Sequence, residues 1–363
     1  MVLKYATQLI PALLALQLIL SFSQHASAED IVDDDDDDGS WKQINEEEDE
    51  IGYIQSLIVN TPAVASVESS YQYIEVYDSD HFGKVFVLDD CLQLTEKDAP
   101  HYNEMLAHVP VMEYLARRSN DDDLKEPMKV LVVGGGDGYV VSELLKYPQI
   151  GLIDHVELDE EVINVSKKYL PWGDAWKDER VNLVIGDGAA FVKEQAEEGQ
   201  SYHVIVQDAS DPFWLDKDGG VTTLPSSVLY DTSHFESLYK LLQPKEGVLM
   251  FQAETYNIPS NLESIRKWRN LLQDLGFATP RYGSISISTY PTGQIGFFAA
   301  HARDDKEEEK FCESDDACDG DSGGSVILDK MDTLPEMNWN EILAQFNELG
   351  GKTLYYHPRI HRR

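Results

Sequence analysis

Short apolar runs alternate with helix-like segments through the middle of the chain. The runs have the length and apolarity of parallel strands buried on both faces: Lys129–Val133, Leu152–Val156, Val181–Ile185, Tyr202–Val206 and Gly247–Phe251. Segments with helical spacing, such as Glu161–Tyr169 and Ala189–Gln195, separate them. Strands and helices in strict alternation predict an α/β architecture with a doubly wound, mostly parallel sheet.

The flanking regions have a different pattern. Alternation in Tyr71–Tyr77 and Lys84–Asp89, joined around Gly83, predicts a small antiparallel sheet before the α/β region. Helical spacing follows from Tyr102 to Arg117. Near the other end, Ser284–Ser288 alternates and leads through a Pro-Thr-Gly turn into a second apolar run, which predicts an antiparallel hairpin at one edge of the large sheet.

Charge is concentrated in two acidic blocks. The 363 residues carry a formal net charge of -37, and 42% are apolar, enough for a sizeable core. Residues 29–50 hold 13 acidic residues and residues 301–321 hold 10, which predicts solvated, disordered segments. Because phosphate binding needs clusters of Lys and Arg, this balance argues against nucleic acid as a partner.

The N-terminus has the features of a secretory signal. Lys4 precedes an apolar run from Leu9 to about Phe22, and Ala26-Ser27-Ala28 has the small-residue pattern of a cleavage site. We therefore expect cleavage after Ala28, a secreted or secretory-pathway protein and no membrane association afterwards, with an uncleaved signal anchor as the alternative. In an oxidising compartment, Cys312 and Cys318 are close enough along the chain to form a disulfide.

These patterns divide the chain into six segments. The predicted boundaries are a signal peptide at 1–28, an acidic disordered linker at 29–51, an N-terminal β-sheet domain at 52–110, a catalytic domain at 111–303, an acidic loop at 304–325 and a C-terminal segment packing on the catalytic domain at 326–363.

A glycine-rich turn follows the first buried strand and opens a helix. Gly134, Gly136 and Gly138 allow a sharp turn and a close approach of ligand to backbone. The spacing is G-x-G-x-G, so the dinucleotide fingerprint is not met, and Tyr139 follows the last glycine, which predicts a bulky ring near the ligand. A tight turn without a ligand is the alternative.

Acidic residues stand at the ends of three further strands. Glu157 ends the second strand, where a carboxylate accepts from ribose hydroxyls, and Asp187-Gly188 ends the third, where it accepts from an adenine amino group. Asp208 and Asp211 end the fourth and suit a cationic amine, which one of them can deprotonate. Carboxyl ends of parallel strands share one edge, so these acids predict a single nucleoside cleft without a pyrophosphate site. A helix-starting acid and a strand-capping Asp-Pro turn are the respective alternatives.

The chain resembles the spermidine synthase family of polyamine aminopropyltransferases from about Tyr53 to His361. The matching segments are Leu92–Glu96 with Asp98, Tyr102–Met105, the glycine turn, Val156–Glu160, Gly186–Gly188, Asp208–Pro212, Ser288–Gly296, Tyr355-Tyr356 and His361. The paired-aspartate and Tyr-Pro-Thr-Gly-Gln motifs are specific to this family, whereas the glycine turn is shared with many methyltransferases.

The resemblance implies a methyltransferase-like (Rossmann-type) sheet and a set of site residues. It implies nucleoside binding by Gln72, Asp137, Glu157, Asp187 and Gly188. It implies amine binding by Tyr102, Asn103, Asp208, Asp211 and Tyr290, with Asp208 as general base. The reaction implied transfers an aminopropyl group from decarboxylated S-adenosylmethionine, a co-substrate, to a polyamine. No cofactor or metal is implied, and a homodimer or larger homo-oligomer is expected.

Three alternatives stay open at this stage. The acceptor is putrescine, or it is spermidine or a longer polyamine, because the segment Phe213–Val228 is longer than the family's loop over the acceptor. In the second alternative, the enzyme is an S-adenosylmethionine-dependent amine N-methyltransferase, which would share the sheet and the glycine turn. Alternatively, the protein is a secreted polyamine-binding protein without turnover.

Overall fold

The computed structural model describes residues 40–48, 50–118, 126–210, 212–215, 221–242, 247–302, 353–354 and 356. The chain divides into two units, Met1–Trp41 and Lys42–Arg363, and the elements below belong to the second unit from Lys42 onward. The predicted signal peptide, the acidic loop 304–325 and the Cys312–Cys318 pair lie outside the described residues.

A five-stranded antiparallel sheet forms the N-terminal region. Its strands pair in sequence order and are β1 Trp41–Glu48, β2 Tyr53–Glu68, β3 Tyr73–Ser79, β4 Gly83–Leu88 and β5 Cys91–Thr95. Alternation along β3 and β4 puts Ile74, Val76 and Phe86 on one face, where they pack against Val162 and Val165 of the large domain. The predicted small sheet is thus present and is fixed to the α/β region.

The prediction of a disordered linker over 29–51 is wrong for residues 41–48. These residues form β1, and Ile44 is buried with Leu57 and Val59. Its acids are held by specific partners, since the Glu46 side chain accepts from the backbone amide of Leu92. The acidic composition of this run predicted a solvated segment. Ile44 is the buried residue of β1, and one buried apolar side chain gives little hydrophobic signal in the sequence.

The α/β domain follows in alternating order. Its elements are α1 Ala99–Arg118, β6 Met128–Gly134, α2 Tyr139–Leu144, β7 Ile150–Glu157, α3 Glu160–Tyr169, β8 Val181–Ile185, α4 Gly188–Glu197, β9 Val204–Asp208, β10 Phe213–Leu215, β11 Val221–Thr223, α5 Thr232–Leu242, β12 Val248–Gln252, α6 Pro259–Asp274, β13 Ala278–Ser286 and β14 Gln294–His301. The predicted boundary at residue 110 is wrong, because it falls inside the continuous helix α1.

Seven strands form the large sheet in the order β13-β14-β12-β9-β6-β7-β8. The five from β12 to β8 are parallel, and β14 and β13 add an antiparallel hairpin at one edge. The predicted doubly wound sheet with an edge hairpin is confirmed. The sheet order reverses between β6 and β9, and ligands of such sheets bind at this switch point, beyond the carboxyl ends of the strands.

Alternate residues of the central strand face opposite sides of the sheet. Val130 and Val132 of β6 belong to the core layer that contains α1 and α2, whereas Leu131 and Val133 belong to the layer beneath α5 and α6. Strands buried on both faces read as continuous apolar runs, which is why these strands were visible in the sequence. The carboxyl end of the central strand is therefore held from both sides.

The last described residues pack on helix α1. Tyr356 is buried in the core, and the buried Glu104 carboxylate accepts from the backbone amides of Leu354 and Tyr356, each at 2.6 Å. The rest of the predicted C-terminal segment 326–363 lies outside the described residues, and its packing on the catalytic domain stays a prediction. Within the described ranges, no helix is long and apolar enough to cross a membrane.

Candidate active site

The glycine turn and the end of β9 are in direct backbone contact. The amide of Gly135 donates to the carbonyl of Asp208 at 2.8 Å. Gly134 has a φ of 78°, and a Cβ there would lie 2.2 Å from that same carbonyl oxygen. No residue with a side chain fits at Gly134, so glycine is what allows the turn to approach Asp208.

The Glu157 carboxylate lies on the other side of the glycine turn from Asp208. A Cβ at Gly136 would lie 2.9 Å from the Glu157 Oε2 atom, and Gly138 has a φ of 82° at the start of α2. The three glycines predicted to matter therefore all lie at close contacts or in left-handed conformation. The strand-end acids Glu157 and Asp208 flank one turn, as the sequence predicted.

Burial raises the pKa values of three carboxyl groups at this switch point. The pKa of Asp137 is raised to about 8, first by burial and then by repulsion from Asp208. The pKa of Asp208 is raised to about 6 by burial, against a lowering hydrogen bond from Tyr102. The pKa of Glu157 is raised to about 7, mainly by burial and in smaller part by Asp208. Such acids gain most from a cationic ligand.

The side expected to bind the amine contains two tyrosines that donate to acidic or amide groups. The Tyr102 hydroxyl donates to Asp208 Oδ1 at 2.6 Å, and it lies 3.2 Å from Gln252 Oε1. The Tyr290 hydroxyl donates to Glu254 Oε2 at 2.7 Å. Helix α1, strand β12 and the β13–β14 hairpin thus converge beside Asp208.

Sequence reasoning missed Gln252 and Glu254. Gln252 ends β12, and Glu254 follows it as a buried residue with a φ of 43°. The sequence does contain a signal for these two residues. The run Gly247–Phe251 is a predicted strand, and Glu254 follows its end in the same way that Glu157 and Asp208 stand at the ends of their strands. Searching for polar residues at the carboxyl end of the fifth predicted strand, as for the first four, finds both residues.

Gln72 reaches the site through a neighbour. Its Nε2 donates to Asp159 Oδ2 at 3.0 Å, and the Asp159 amide donates to Glu157 Oε1 at 3.0 Å. Asp159 also caps α3 by accepting from the Glu161 amide, which is the helix-starting role that was the alternative for this strand end. Gln72 therefore lies close to the carboxyl end of β7, which carries Glu157, and is linked to it through Asp159.

Asp187 and Gly188 lie at the end of β8, beside Glu157. The Gly186 amide donates to the Glu157 carbonyl at 2.9 Å, and a Cβ at Gly188 would lie 2.7 Å from Val133 Cγ1. The exposed Asp187 carboxylate caps α4, since its Oδ1 accepts from the amides of Ala189 and Ala190. The two residues are at the expected edge, and Asp187 has a structural role there.

The side chains of Asn103 and Tyr139 make their described contacts within the protein. Asn103 is buried, and its Nδ2 donates to the Ala99 carbonyl of its own helix at 3.0 Å, so the described contacts do not direct it to the amine side. The Tyr139 ring is also buried, and its centre lies 4.5 Å from that of the Trp172 ring. Asp211 lies outside the described residues.

The segment after Pro212 is a short hairpin in the structure. Strand β10 pairs with β11 in antiparallel register, and the Leu224 amide donates to the Pro212 carbonyl at 3.1 Å. It follows directly on the strand that carries Asp208. The described parts of the longer loop therefore form a strand pair that begins five residues after Asp208.

Two sequence families match the chain. Residues 99–310, more than half of the chain, match the family described as spermine/spermidine synthase domain, and residues 64–96 match the spermidine synthase tetramerisation domain. The chain belongs to the spermine/spermidine synthase family. The family resemblance inferred from the strand-end acids and the hairpin motif is confirmed.

Curated relatives of this spermine/spermidine synthase family member include two kinds of enzyme. Spermidine synthase 2 of Arabidopsis thaliana is 36% identical over 231 residues, which is 63% of this chain and 61% of the relative. Putrescine N-methyltransferase 2 of Nicotiana tabacum is 36% identical over 233 residues, which is 63% of this chain and 58% of the relative. The chain thus spans about three fifths of the length of these relatives.

Solved structures share the fold. A spermidine synthase in complex with the transition state analogue AdoDATO has a TM-score of 0.66 at 23% identity, covering 92% of this chain and 94% of that one. Spermidine synthase from Thermotoga maritima has a TM-score of 0.63 at 21% identity, covering 93% and 94%. Among the residues described here, no cluster of three His, Cys, Asp or Glu side chains has metal-binding geometry.

The raised pKa of Asp137 predicts a pH-dependent effect of Asp137→Asn. The folded protein holds this proton more tightly than the unfolded chain, so the group's contribution to stability is present below its ordinary pKa of 3.8 and is lost as the pH rises towards about 8. Relative to wild type, the Asn variant should therefore gain on the order of 4 kcal/mol in unfolding free energy between pH 5 and pH 8.5, because the linkage is about 1.4 kcal/mol per pH unit up to about pH 8.

Urea unfolding of the ligand-free protein at the two pH values measures this gain. The matched control is Asp174→Asn, whose carboxylate is exposed and pairs with Lys177 at the surface. Its effect should stay within about 0.5 kcal/mol at both pH values. An Asp137→Asn effect that is the same at pH 5 and pH 8.5 would contradict the raised pKa.

Proposed function

We propose that the protein is a polyamine aminopropyltransferase that transfers the aminopropyl group of decarboxylated S-adenosylmethionine to putrescine. The observation that carries the proposal is the environment of Asp208. It is a partly buried carboxyl at the switch point, its pKa is raised to about 6, and it accepts a hydrogen bond from Tyr102. A base of this strength accepts a proton near neutral pH more readily than an ordinary aspartate.

The reaction moves one alkyl group and one proton. The amine nitrogen attacks the methylene carbon bonded to sulfur, the C–S bond breaks, and its electron pair stays on sulfur as neutral methylthioadenosine. The proton of the attacking ammonium passes to the Asp208 carboxylate before attack, because an ammonium has no lone pair. The sulfonium is already a good leaving group, so the proposed step draws on orientation, which supplies at most about 7–11 kcal/mol.

Charge in the site favours this pair of substrates. A sulfonium and an ammonium are both cationic, and the turn holds Asp137, Glu157 and Asp208 close enough to affect one another's pKa values. Cation binding relieves that repulsion and returns the carboxyls towards their ionised form. We assign Gln72, Glu157, Asp187 and Gly188 to the nucleoside side, and Tyr102, Tyr290, Gln252 and Glu254 to the amine side.

A second candidate is N-methylation of putrescine by S-adenosylmethionine. The observation that favours it is the relative from Nicotiana tabacum, which is as similar to this chain, at 36% identity, as the spermidine synthase of Arabidopsis thaliana is. Both reactions place a nucleoside sulfonium next to the same amine. They differ in the group transferred and in the carboxylate that only S-adenosylmethionine carries.

Separate incubation with each sulfonium distinguishes the two reactions. We expect purified protein with decarboxylated S-adenosylmethionine and putrescine to yield spermidine and methylthioadenosine, identified by mass, and S-adenosylmethionine to give at least tenfold less product. A panel of spermidine and longer amines in the same assay tests the acceptor. Formation of N-methylputrescine with S-adenosylmethionine alone would establish the methyltransferase instead, and binding without product would leave the polyamine-binding alternative.

Substitution of the proposed base should separate turnover from binding. We expect Asp208→Asn to lower kcat by about 10²–10⁴-fold, the usual contribution of a general base, while methylthioadenosine affinity changes by less than about threefold. Asp174→Asn, which alters an exposed acid outside the cleft, is the matched control and should keep the wild-type rate. A near wild-type rate in Asp208→Asn would reject the base assignment.

We further propose a homo-oligomer assembled through the N-terminal sheet. Residues 64–96 match the tetramerisation domain, and strand β2 exposes Ile54 and Ile58, at 64% and 56% of their surfaces. Large exposed apolar side chains on one strand are typical of a surface that another chain covers. Sedimentation equilibrium should give a mass of at least two chains, and Ile54→Asp with Ile58→Asp should lower it. A monomeric wild type would reject this proposal.

A further inference from the structure

Two tryptophans in the segment after α3 contact the glycine turn. The Trp172 indole N–H donates to the backbone carbonyl of Asp137 at 2.7 Å, and its ring packs 4.5 Å from that of Tyr139. The Trp176 ring lies over the turn's last glycine, since a Cβ at Gly138 would be 2.3 Å from its Cη2 atom. Neither tryptophan belongs to the carboxylate group at the switch point.

Trp176 also reaches the first glycine through a histidine. Its indole N–H donates to His155 Nδ1 at 2.9 Å, and His155 Nε2 lies 2.8 Å from the carbonyl of Gly134. Burial lowers the pKa of His155 to about 4, so the ring is neutral near pH 7 and carries one proton. The geometry fixes that proton on Nε2, because Nδ1 accepts from Trp176 and Gly134 offers only a carbonyl.

These contacts add to the restraint that the glycine turn has from its own backbone hydrogen bonds. Gly134, Gly135 and Gly138 all have positive φ, and glycine loses more conformational freedom on folding than any other residue. The tryptophan contacts reach the turn at both ends and at Asp137. The glycine turn also sets the position of the Asp137 carboxyl relative to Asp208, because the Gly135 amide donates to the Asp208 carbonyl.

We propose that Trp172 and Trp176, the latter through His155, are positioning residues that hold the glycine turn in the shape that binds the nucleoside substrate. The inference rests on the proposed function, because it assumes that an adenosyl sulfonium occupies this turn. Apart from Asp208 at the end of β9, the amine side is built from other elements, α1, β12 and the β13–β14 hairpin. Loss of the tryptophan contacts should therefore weaken nucleoside binding and leave amine binding unchanged.

The Trp172→Phe variant tests this separation, since it removes the indole N–H and keeps an aromatic ring against Tyr139. Methylthioadenosine is the probe, and its affinity is measured by isothermal titration calorimetry. Loss of one hydrogen bond should weaken binding about three- to tenfold. The KM for decarboxylated S-adenosylmethionine should rise by the same factor, whereas kcat and the KM for putrescine should stay within about twofold.

Trp268→Phe is the matched control. Trp268 is buried, and it packs against Tyr230 and Phe251 in the layer beneath α5 and α6, away from the glycine turn. Its substitution should lower thermal stability without changing methylthioadenosine affinity. Trp176→Phe is the second variant, and it should weaken methylthioadenosine binding and speed amide hydrogen exchange in residues 134–138 without speeding it in β9 or β12.

Each outcome separates this inference from the proposed function. If the wild type does not bind methylthioadenosine, the proposed function fails and the inference fails with it. If the wild type binds and both Phe variants bind equally well, only the positioning role is rejected. An equal rise in both KM values, or unfolding of both variants, would assign the tryptophans to the fold and would likewise reject the role.

Discussion

The contact between the glycine turn and the Asp208 backbone is the constraint on which the site depends. Gly134 and Asp208 are partners in the parallel register of β6 and β9, and the next residue of the turn donates to the Asp208 carbonyl at 2.8 Å. The sheet order reverses at this pair of strands. The segments that follow β6 and β9 therefore separate here and leave a crevice. A Cβ at Gly134 would force the strands apart and would move Asp208 away from Asp137 and Glu157.

The same constraint brings three partly buried carboxyl groups close together, those of Asp137, Glu157 and Asp208. Ionised carboxylates are costly to bury without a partner, and here the cost appears as raised pKa values of Asp137, Glu157 and Asp208. The apolar layers on both faces of β6 and β9 offset this cost, since Val132 and Val206 pack on one side and Leu131 and Ile205 on the other. Stability is therefore supplied by the core, and the site is left with acids suited to cations.

The sequence predicted the parts that follow from local chemistry. Parallel strands buried on both faces, glycines in a turn and acids at strand ends each have a signal within a few residues, and those elements were found at β6 to β9 and β12. The errors have tertiary causes. Strand β1 is held by pairing with β2 and by Ile44, which composition cannot reveal. Trp172 and Trp176 reach the glycine turn from about 35 residues along the chain.

Choice between the two candidate reactions depends on where the extra carboxylate of S-adenosylmethionine would lie. The nucleoside side is the same for both donors, so it cannot distinguish them. In the proposed function, the reactive end of either donor would lie next to Asp208, which repels the neighbouring Asp137 carboxyl. Another carboxylate at about 4–5 Å from a buried acid costs several kcal/mol at an effective dielectric constant near 20, unless a cation accompanies it. Among the described contacts, Asp208 and Glu254 receive hydrogen bonds from the tyrosine hydroxyls of Tyr102 and Tyr290, which are neutral donors. This arrangement favours the decarboxylated donor, because its terminal group is a cation where that of S-adenosylmethionine carries an additional negative charge.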